Sequence, residues 1–336
     1  MQPVVTCEYL LAPAFCDPKK VDDVVLDLMQ VHSDVTSARN PPLIEDDAYE
    51  KLLLSGRFPT DKVFSKNIVE NNETTYSAND ISSIVNKILS SAKSLEDNDF
   101  FWVSDWSGLI LNPLITEPHV PGRDKQLADF FSVLAIFNIT QKISACALHH
   151  QANHVDSTKV AGTLNNAHPT SLSFPQAVDQ EISIYSQYKN YLSYVDSSYF
   201  LVAPLGIHDL KLAIFAGALK ALREAGQNLS KIEWSDFSIG EHFISSLAKN
   251  QSDIGQKYFS TVIACIVSIV AKKPKYPPSP FVVKAGSTEQ ITRGGSKAFR
   301  SHITKSGLAL RLMHWEARDG HLVFANIGVK GELEIL

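Results

Sequence analysis

Histidines and an aspartate crowd the segment HHQANHVD, which directly follows an apolar run with the character of a buried strand. His150 and His154 are four residues apart, the spacing at which two imidazoles on one side of a helix share a metal ion. Together with His149 and Asp156 they predict a divalent-metal site that activates water for attack on an ester or phosphodiester, as in a hydrolase or nuclease. The alternative is a polar loop with solvated histidines, because Gln151 stands where an HExxH motif has its glutamate and cannot act as a general base.

His208 and Asp209 form a second candidate at the start of a predicted helix. An imidazole beside a helix N-terminus is pushed towards its neutral, proton-accepting form, which suits a catalytic base. Asp209 also fits a simpler structural role as a helix cap, and the sequence leaves both readings open.

Basic residues are concentrated in residues 272–311, which hold nine lysines and arginines and one acid, although the net charge of the chain is −5. Such a block on an otherwise acidic protein predicts a docking surface for a polyanion, for an acidic partner or for the protein's own acidic part. Arginines and lysines contact phosphates, and interleaved aromatic rings can stack on bases. The predicted nucleic-acid-binding residues are Arg293, Lys297, Arg300, His302, Lys305, Arg311 and Trp315.

Residues 311–336, RLMHWEARDGHLVFANIGVKGELEIL, resemble the closing strands of the RelE/ParE toxin fold, in which an arginine-bearing strand precedes an acidic turn and a last strand containing Ile-Gly. The resemblance implies a shape and a setting in a prokaryotic defence or toxin-related assembly, antiviral defence included. It does not imply ribonuclease activity, because Val329 and Lys330 stand where many of those toxins have a His-Arg pair and the usual tyrosine is missing.

The order of predicted elements favours an α+β protein with a mixed α/β body over residues 1–272 and a basic antiparallel β module over residues 273–336. The boundary is placed at a cluster of four prolines between residues 274 and 280. In the body we expect a strand over residues 4–11, irregular surface over 33–73, a hairpin over 100–111 and a strand over 199–203. We expect helices over 21–31, 77–93, 123–139, 209–225, 237–247 and 256–271. In the module we expect five strands, the last over 332–335.

Three functions are compatible with the sequence: binding of nucleic acid or of a nucleic-acid-handling partner through the basic module, metal-dependent hydrolysis at the histidine segment, and a scaffold role without chemistry. Four widely spaced cysteines, no secretory signal pattern and no apolar stretch long enough for a membrane span predict a cytoplasmic protein. The chain contains no GxxxxGK[ST], GxGxxG, GxSxG or CxxC pattern, so the commonest forms of NTPase, dinucleotide-binding, hydrolase and zinc-ribbon site are not expected.

Overall fold

The computed structural model describes residues 1–70, 74–98, 103–116, 120, 122–150, 155–168, 172–284, 287–304, 307–332 and 334–336. The chain divides into two compact units, Met1–Tyr191 and Leu192–Leu336. The predicted boundary between residues 272 and 273 falls inside the second unit, and a separate module after it stays a prediction.

The N-terminal unit contains a mixed sheet and the helices that cover it. Its strands are β1 Gln2–Val5, β2 Leu43–Ile44, β3 Val103–Asn112, β4 Ala145–Leu148, β5 Ser157–His168 and β6 Gln176–Tyr185. Its helices are α1 Cys7–Leu10, α2 Ala12–Phe15, α3 Val21–Ser37, α4 Ala48–Leu54, α5 Asp61–Glu70, α6 Ala78–Ser91 and α7 Arg123–Thr140, and α8 Tyr188–Tyr194 spans the division between the units.

The sheet of this unit has the order β2-β1-β4-β6-β5-β3. The first four strands of that order run parallel, and β5 and β3 are antiparallel to their neighbours. β1 and β4 are buried along their whole length, as expected for central parallel strands. Phe131 and Leu134 of α7 belong to the same apolar core as Ala147 of β4. Because the four parallel strands all end at one edge, the residues that follow them are brought close together.

Predictions that rest on short-range sequence patterns are confirmed at several places in this unit. α6 begins with the expected capping box, in which the Ser77 hydroxyl accepts from the Asp80 N–H while the Asp80 carboxylate accepts from the Ser77 N–H. α7 occupies the predicted position, and α3 begins where predicted but continues to Ser37. The predicted strand over residues 4–11 is wrong, because Thr6 caps α1 by accepting from the N–H of Tyr9 and so ends β1 at Val5.

Two further predictions for this unit are corrected. Residues 33–73 are not mostly irregular, since the end of α3, β2, α4 and α5 lie there. The predicted hairpin over residues 100–111 is one strand, β3, in the part that is described, and it passes Gly108 with a register shift against β5 instead of turning back.

The C-terminal unit combines helices with a second sheet. Its helices are α9 Ile207–Glu224, α10 Phe243–Lys249 and α11 Phe259–Val270, and its strands are β7 Phe237–Ile239, β8 Ser279–Pro280, β9 Thr292–Arg293, β10 Ser296–His302, β11 Arg311–Glu316 and β12 Leu322–Gly328. The strand order is β7-β12-β11-β10-β8, with β9 also paired to β10. β7 and β12 are parallel, and the other pairs are antiparallel.

α9 and its Gly226, at φ 63°, follow the prediction closely, since only glycine adopts this conformation without strain just beyond a helix end. The strand predicted over residues 199–203 is wrong, because Asp196 caps a short 3₁₀ turn at Ser197–Phe200. The helix predicted over residues 237–247 is a strand followed by a helix, β7 and α10. Among the described residues of 332–335 none is in a strand.

The fold class is α+β, as predicted. Within the described ranges, no helix combines the length and the apolar character that crossing a bilayer requires.

Candidate functional sites

A buried charged cluster lies at the carboxyl ends of the parallel strands in the N-terminal unit. Arg123 Nε donates to Glu8 Oε1 at 2.6 Å, and its Nη2 donates to Glu8 Oε2 at 3.0 Å and to Glu45 Oε2 at 2.8 Å. The remaining nitrogen, Nη1, donates to Gln126 Oε1 at 3.0 Å. The side chains of Arg123, Glu8 and Glu45 are at most 2% exposed. The guanidinium therefore joins two carboxylates in an interior where unpaired charges would be very costly.

His149 completes this cluster. Its Nδ1 lies 3.0 Å from Thr6 Oγ1 and 3.5 Å from Glu8 Oε2, and the residue is fully buried. The Thr6 hydroxyl donates to the carbonyl of Leu148 at 3.1 Å, so its oxygen is left to accept from an N–H at Nδ1. For the neutral form of the ring, this geometry assigns the proton to Nδ1 and the lone pair to Nε2. Within the described parts of the chain, Nε2 is buried and has no hydrogen-bond partner.

The electrostatics of the cluster follow from burial and pairing. Burial alone would raise the pKa of Glu8, but hydrogen bonds with His149 and Arg123 outweigh burial and hold that pKa well below its ordinary value. Burial would lower the pKa of Arg123, and the two carboxylates reverse this and raise it. Burial, followed by the charges of Glu45 and Glu8, raises the pKa of Cys7, whose thiol donates to Glu45 Oε1 at 2.7 Å. Cys7 is thus a protonated donor and not a thiolate nucleophile.

Backbone hydrogen bonds fix the residues that carry these side chains. The N–H groups of Thr6, Glu45 and His149 donate to the carbonyls of Leu148, Val5 and Tyr185, which extends the ladder one residue past each strand. Arg123 is the first residue of α7, whose N-terminal end carries partial positive charge and favours nearby carboxylates.

Sequence reasoning identified His149 but missed Glu8, Glu45 and Arg123. Glu45 directly follows the short apolar pair Leu43–Ile44, and an acid at the end of an apolar run is the one local signal that was available. Glu8 was hidden by the wrong assignment of residues 4–11 to a strand.

Replacing Glu8 by glutamine is expected to make the free energy of unfolding of the N-terminal unit less dependent on pH in the acid range. The pKa of Glu8 in the folded chain lies below the value of about 4.3 for an unfolded glutamate, so its contribution is complete above about pH 5 and is lost as the pH falls. Labelling of buried Cys146 by a dipyridyl disulfide, which reacts in acid, reports opening of this unit. Exposed Glu50→Gln is the matched control. A free energy of unfolding that falls equally steeply with decreasing pH in wild type and Glu8→Gln would contradict the prediction.

His150, His154 and Asp156 are the other residues of the predicted metal site. His150 is half-buried and Asp156 is exposed, whereas His154 lies outside the described residues. Among the residues that the structure describes, no group of three or more His, Cys, Asp or Glu side chains has the arrangement of a metal site.

His208 and Asp209 lie in the first turn of α9, as predicted. The ring of His208 is half-buried with its centroid 5.5 Å from that of Trp234, and Lys211 Nζ lies 4.1 Å from the same indole. Asp209 is 3% exposed. A Cβ at Gly206 would come within 2.8 Å of its carboxylate, so the side chain folds back over the start of the helix.

The strand register determines on which face of the sheet each basic residue of the C-terminal unit lies. Arg300 pairs with Met313, His302 with Arg311 and Ala298 with Trp315, so these side chains share one face of the sheet. Arg293 joins them, because its guanidinium lies 4.6 Å from the Trp315 ring centre. We call Arg293, Arg300, His302 and Arg311 the basic face. Lys297 alternates to the opposite face, and Lys305 lies outside the described residues.

No Asp or Glu side chain neutralises the arginines of the basic face in an ion pair, among the residues that the structure describes. Burial and then the nearby charge of Arg300 lower the pKa of Arg311. Arg311 is 8% exposed, and its Nη1 donates to the carbonyls of Thr304, Ala309 and Leu310. Arg311 therefore anchors the chain before β11 while adding its charge to that of Arg300.

The aromatic rings near this face are covered. Trp315 is 5% exposed, lies under Arg293 and donates from Nε1 to the backbone oxygen of Leu336 at 3.3 Å. Phe281 is 1% exposed with Arg300 over it at 5.8 Å. Phe299, on the opposite face, stacks on His314 with ring centres 5.7 Å apart. Arg293, which is exposed, and Arg300, which is half-buried, are therefore more accessible than the rings.

Fold and site geometry thus define an α+β protein with a buried polar cluster in one unit and a basic sheet face in the other. Comparison of the chain with protein-family models, with curated proteins and with solved structures finds no significant match.

Proposed function

We propose that the protein binds DNA or RNA through the basic face of its C-terminal unit. The observation that carries this proposal is that Arg300 and Arg311 lie on one sheet face, close enough for charge repulsion, without an Asp or Glu side chain paired to either among the described residues. Like charges held together raise the energy of the free protein, and a polyanion laid across them relieves that cost. Phosphate oxygens suit arginine especially well, because the planar guanidinium can donate two parallel hydrogen bonds.

The covered rings indicate what kind of nucleic-acid contact this face makes. Stacking on bases needs exposed aromatic faces, and Trp315 and Phe281 offer none. Contacts to the sugar–phosphate backbone position a protein without reading sequence. We therefore expect binding that depends strongly on salt and little on base identity.

The test measures the affinity of the full chain for a fluorescent duplex and for single strands of different base composition, across about 50 to 200 mM salt. The variant Arg293→Gln/Arg300→Gln removes two exposed or half-exposed charges and leaves the anchoring role of Arg311 intact. If both arginines contact phosphates, the slope of log affinity against log salt falls by about 1.8 for duplex, and affinity at about 0.1 M salt drops on the order of fifty-fold.

The matched control is Lys249→Gln/Lys257→Gln, which removes the same charge from exposed positions elsewhere in the C-terminal unit. Equal losses in both double variants would mean that net charge and not this face drives binding. Absence of DNA and RNA binding at low salt would overturn the proposal in favour of an acidic protein partner. An affinity that depends strongly on base identity would contradict binding through the sugar–phosphate backbone alone.

A cytoplasmic role within a defence or toxin-related assembly fits such a protein, but it is supported by the resemblance of residues 311–336 to RelE/ParE toxins alone. No observation among the described residues favours the metal-dependent reaction.

A further inference from the structure

The segment that follows β12 lies over the same side of the sheet as the arginines of the basic face. We call its described residues the tail: Glu332, Glu334, Ile335 and Leu336. In the strand register Asn326 lies opposite Met313. Gly328 lies opposite Arg311. Because directly opposed residues of an antiparallel pair share a face, both β12 positions belong to the side that carries the basic face.

Hydrogen bonds hold the tail in this position. Asn326 Nδ2 donates to the carbonyl of Glu334 at 3.2 Å, and Asn326 Oδ1 accepts from the N–H of Leu336 at 3.2 Å. The backbone oxygen of Leu336 accepts from Arg293 Nη2 at 3.2 Å and from Trp315 Nε1 at 3.3 Å. The tail thus engages the guanidinium of Arg293, which is exposed and belongs to the basic face.

The side chains of the tail also approach this face. Ile335 packs against the small core that contains Met313. A Cβ at Gly328 would lie 2.7 Å from Glu332 Cγ and 3.2 Å from Met313 Cε, so the Glu332 side chain passes close over the position opposite Arg311. Glu334 is exposed. The tail therefore brings two acidic residues to the side of the sheet on which the arginines lie.

Nucleic acid and the tail need the same arginine. Arg293 donates to a backbone oxygen of the tail, whereas a phosphate group can accept two parallel hydrogen bonds from a guanidinium. The acidic residues of the tail oppose an approaching phosphate by charge repulsion. We propose that the tail is an autoinhibitory segment, which covers part of the basic face and leaves it when nucleic acid binds. This inference rests on the proposed function.

Asn326→Ala tests the proposal without a change in charge, because it removes both hydrogen bonds from Asn326 to the tail. Affinity for the fluorescent duplex at about 0.1 M salt is expected to rise about threefold or more, since each hydrogen bond contributes a few-fold to the closed arrangement. The matched control is Asn250→Ala, which removes side-chain hydrogen bonds to the carbonyls of Ser246 and Ile327. A purely structural role of the tail predicts the opposite sign, because a loosened sheet presents its arginines less well.

Glu332→Gln/Glu334→Gln tests the charges of the tail and keeps its acceptor oxygens. Affinity is expected to rise about two- to fivefold, the range that an exposed charge interaction produces. The matched control is Glu241→Gln/Glu316→Gln, which removes the same charge from exposed positions; Glu316 lies opposite Lys297, away from the basic face. Equal gains in both pairs would mean that net charge acts, and not the tail. Should Asn326→Ala fail to fold, this pair decides.

Hydrogen exchange of the Leu336 N–H follows the tail directly. Because Asn326 Oδ1 accepts from this group, binding of the duplex to the wild type is expected to speed its exchange as the tail leaves. Unchanged or slower exchange in the bound protein would overturn the proposal, since the tail would then stay in place. Trp315→Phe keeps both hydrogen bonds from Asn326 and is expected to hold the tail as the wild type does.

The outcomes separate this inference from the proposed function. If the wild type binds the duplex, and neither Asn326→Ala nor the glutamine pair binds more tightly than its control, the autoinhibitory role is wrong and nucleic-acid binding stands. If neither the wild type nor any tail variant binds DNA or RNA at low salt, the proposed function fails and the role of the tail fails with it.

Discussion

Replacing Arg123 by methionine is expected to destabilise the N-terminal unit by about 3 to 5 kcal/mol, the usual cost of removing one partner from a buried ion pair. Methionine fills much of the same volume, so the loss comes mainly from charge. Glu8 and Glu45 would remain buried without their shared guanidinium, and the hydrogen bonds from Nε and Nη2 would be lost together. The effect should be concentrated on β1, β2 and β4, whose ends the cluster joins.

Thiol labelling measures this effect locally, which matters because a chain of two units need not unfold in one step. Cys146 of β4 is 0% exposed, and burial raises the pKa of its thiol, so it reacts only when the unit opens. The expected loss corresponds to roughly a hundred-fold to several-thousand-fold faster labelling of Cys146 in the Arg123→Met variant. Lys125→Met, at an exposed position in the same helical turn, should label at nearly the wild-type rate.

A further variant separates unpaired charge from lost packing. If buried carboxylates cause the loss, Glu8→Gln and Glu45→Gln added to Arg123→Met should recover much of the stability, since neutral side chains carry a smaller desolvation cost. A triple variant less stable than the single one would mean that packing around Arg123, and not charge, is the main term. Single-variant labelling within about threefold of wild type would contradict the structural role itself, because that ratio is worth less than 1 kcal/mol.

More of the basic face than of the buried cluster could be predicted from the sequence alone. Arg300 and His302 are two residues apart on one strand, so strand alternation predicts a shared face and sends Lys297 to the other side. That Arg311 joins them depends on the pairing of β10 with β11, which is set by the whole connection between the strands. The covered state of Trp315 depends on Arg293 and on Leu336, which no local pattern specifies.

The buried cluster was beyond single-sequence reasoning for a different reason. Glu8, Glu45, Arg123 and His149 come from four separate segments, and only the parallel order β2-β1-β4 places the strand ends side by side. Periodicity predicted α7 and the interior strand before His149, yet it carries no information about strand order. A single capping hydroxyl, Thr6, also turned the chain where hydrophobicity favoured a longer strand, and this moved Glu8 from a sheet face into the cluster.

Replacing Trp315 by alanine is expected to destabilise the sheet of the C-terminal unit by about 3 to 5 kcal/mol, the range for a buried large aromatic side chain. The indole packs in the same small core as Phe281, Ala298 and Met313, and its Nε1–H also holds the backbone oxygen of Leu336. Hydrogen exchange of the β11 and β12 amides should accelerate by about a hundred-fold or more. Trp315→Phe keeps most of the ring and should lose much less.

Variants of Trp315 also test which side chains of the basic face contact nucleic acid. If Trp315 serves only as the surface on which Arg293 rests, folded Trp315→Phe should bind nucleic acid like the wild type, because a phenyl ring still supports a guanidinium. Adding Arg293→Gln to Trp315→Phe should then weaken binding by the same factor as Arg293→Gln alone, since the arginine and not the ring contacts the phosphates. Loss of binding in folded Trp315→Phe with Arg293 intact would contradict this arrangement, because it would require the indole to contact the nucleic acid on its own account.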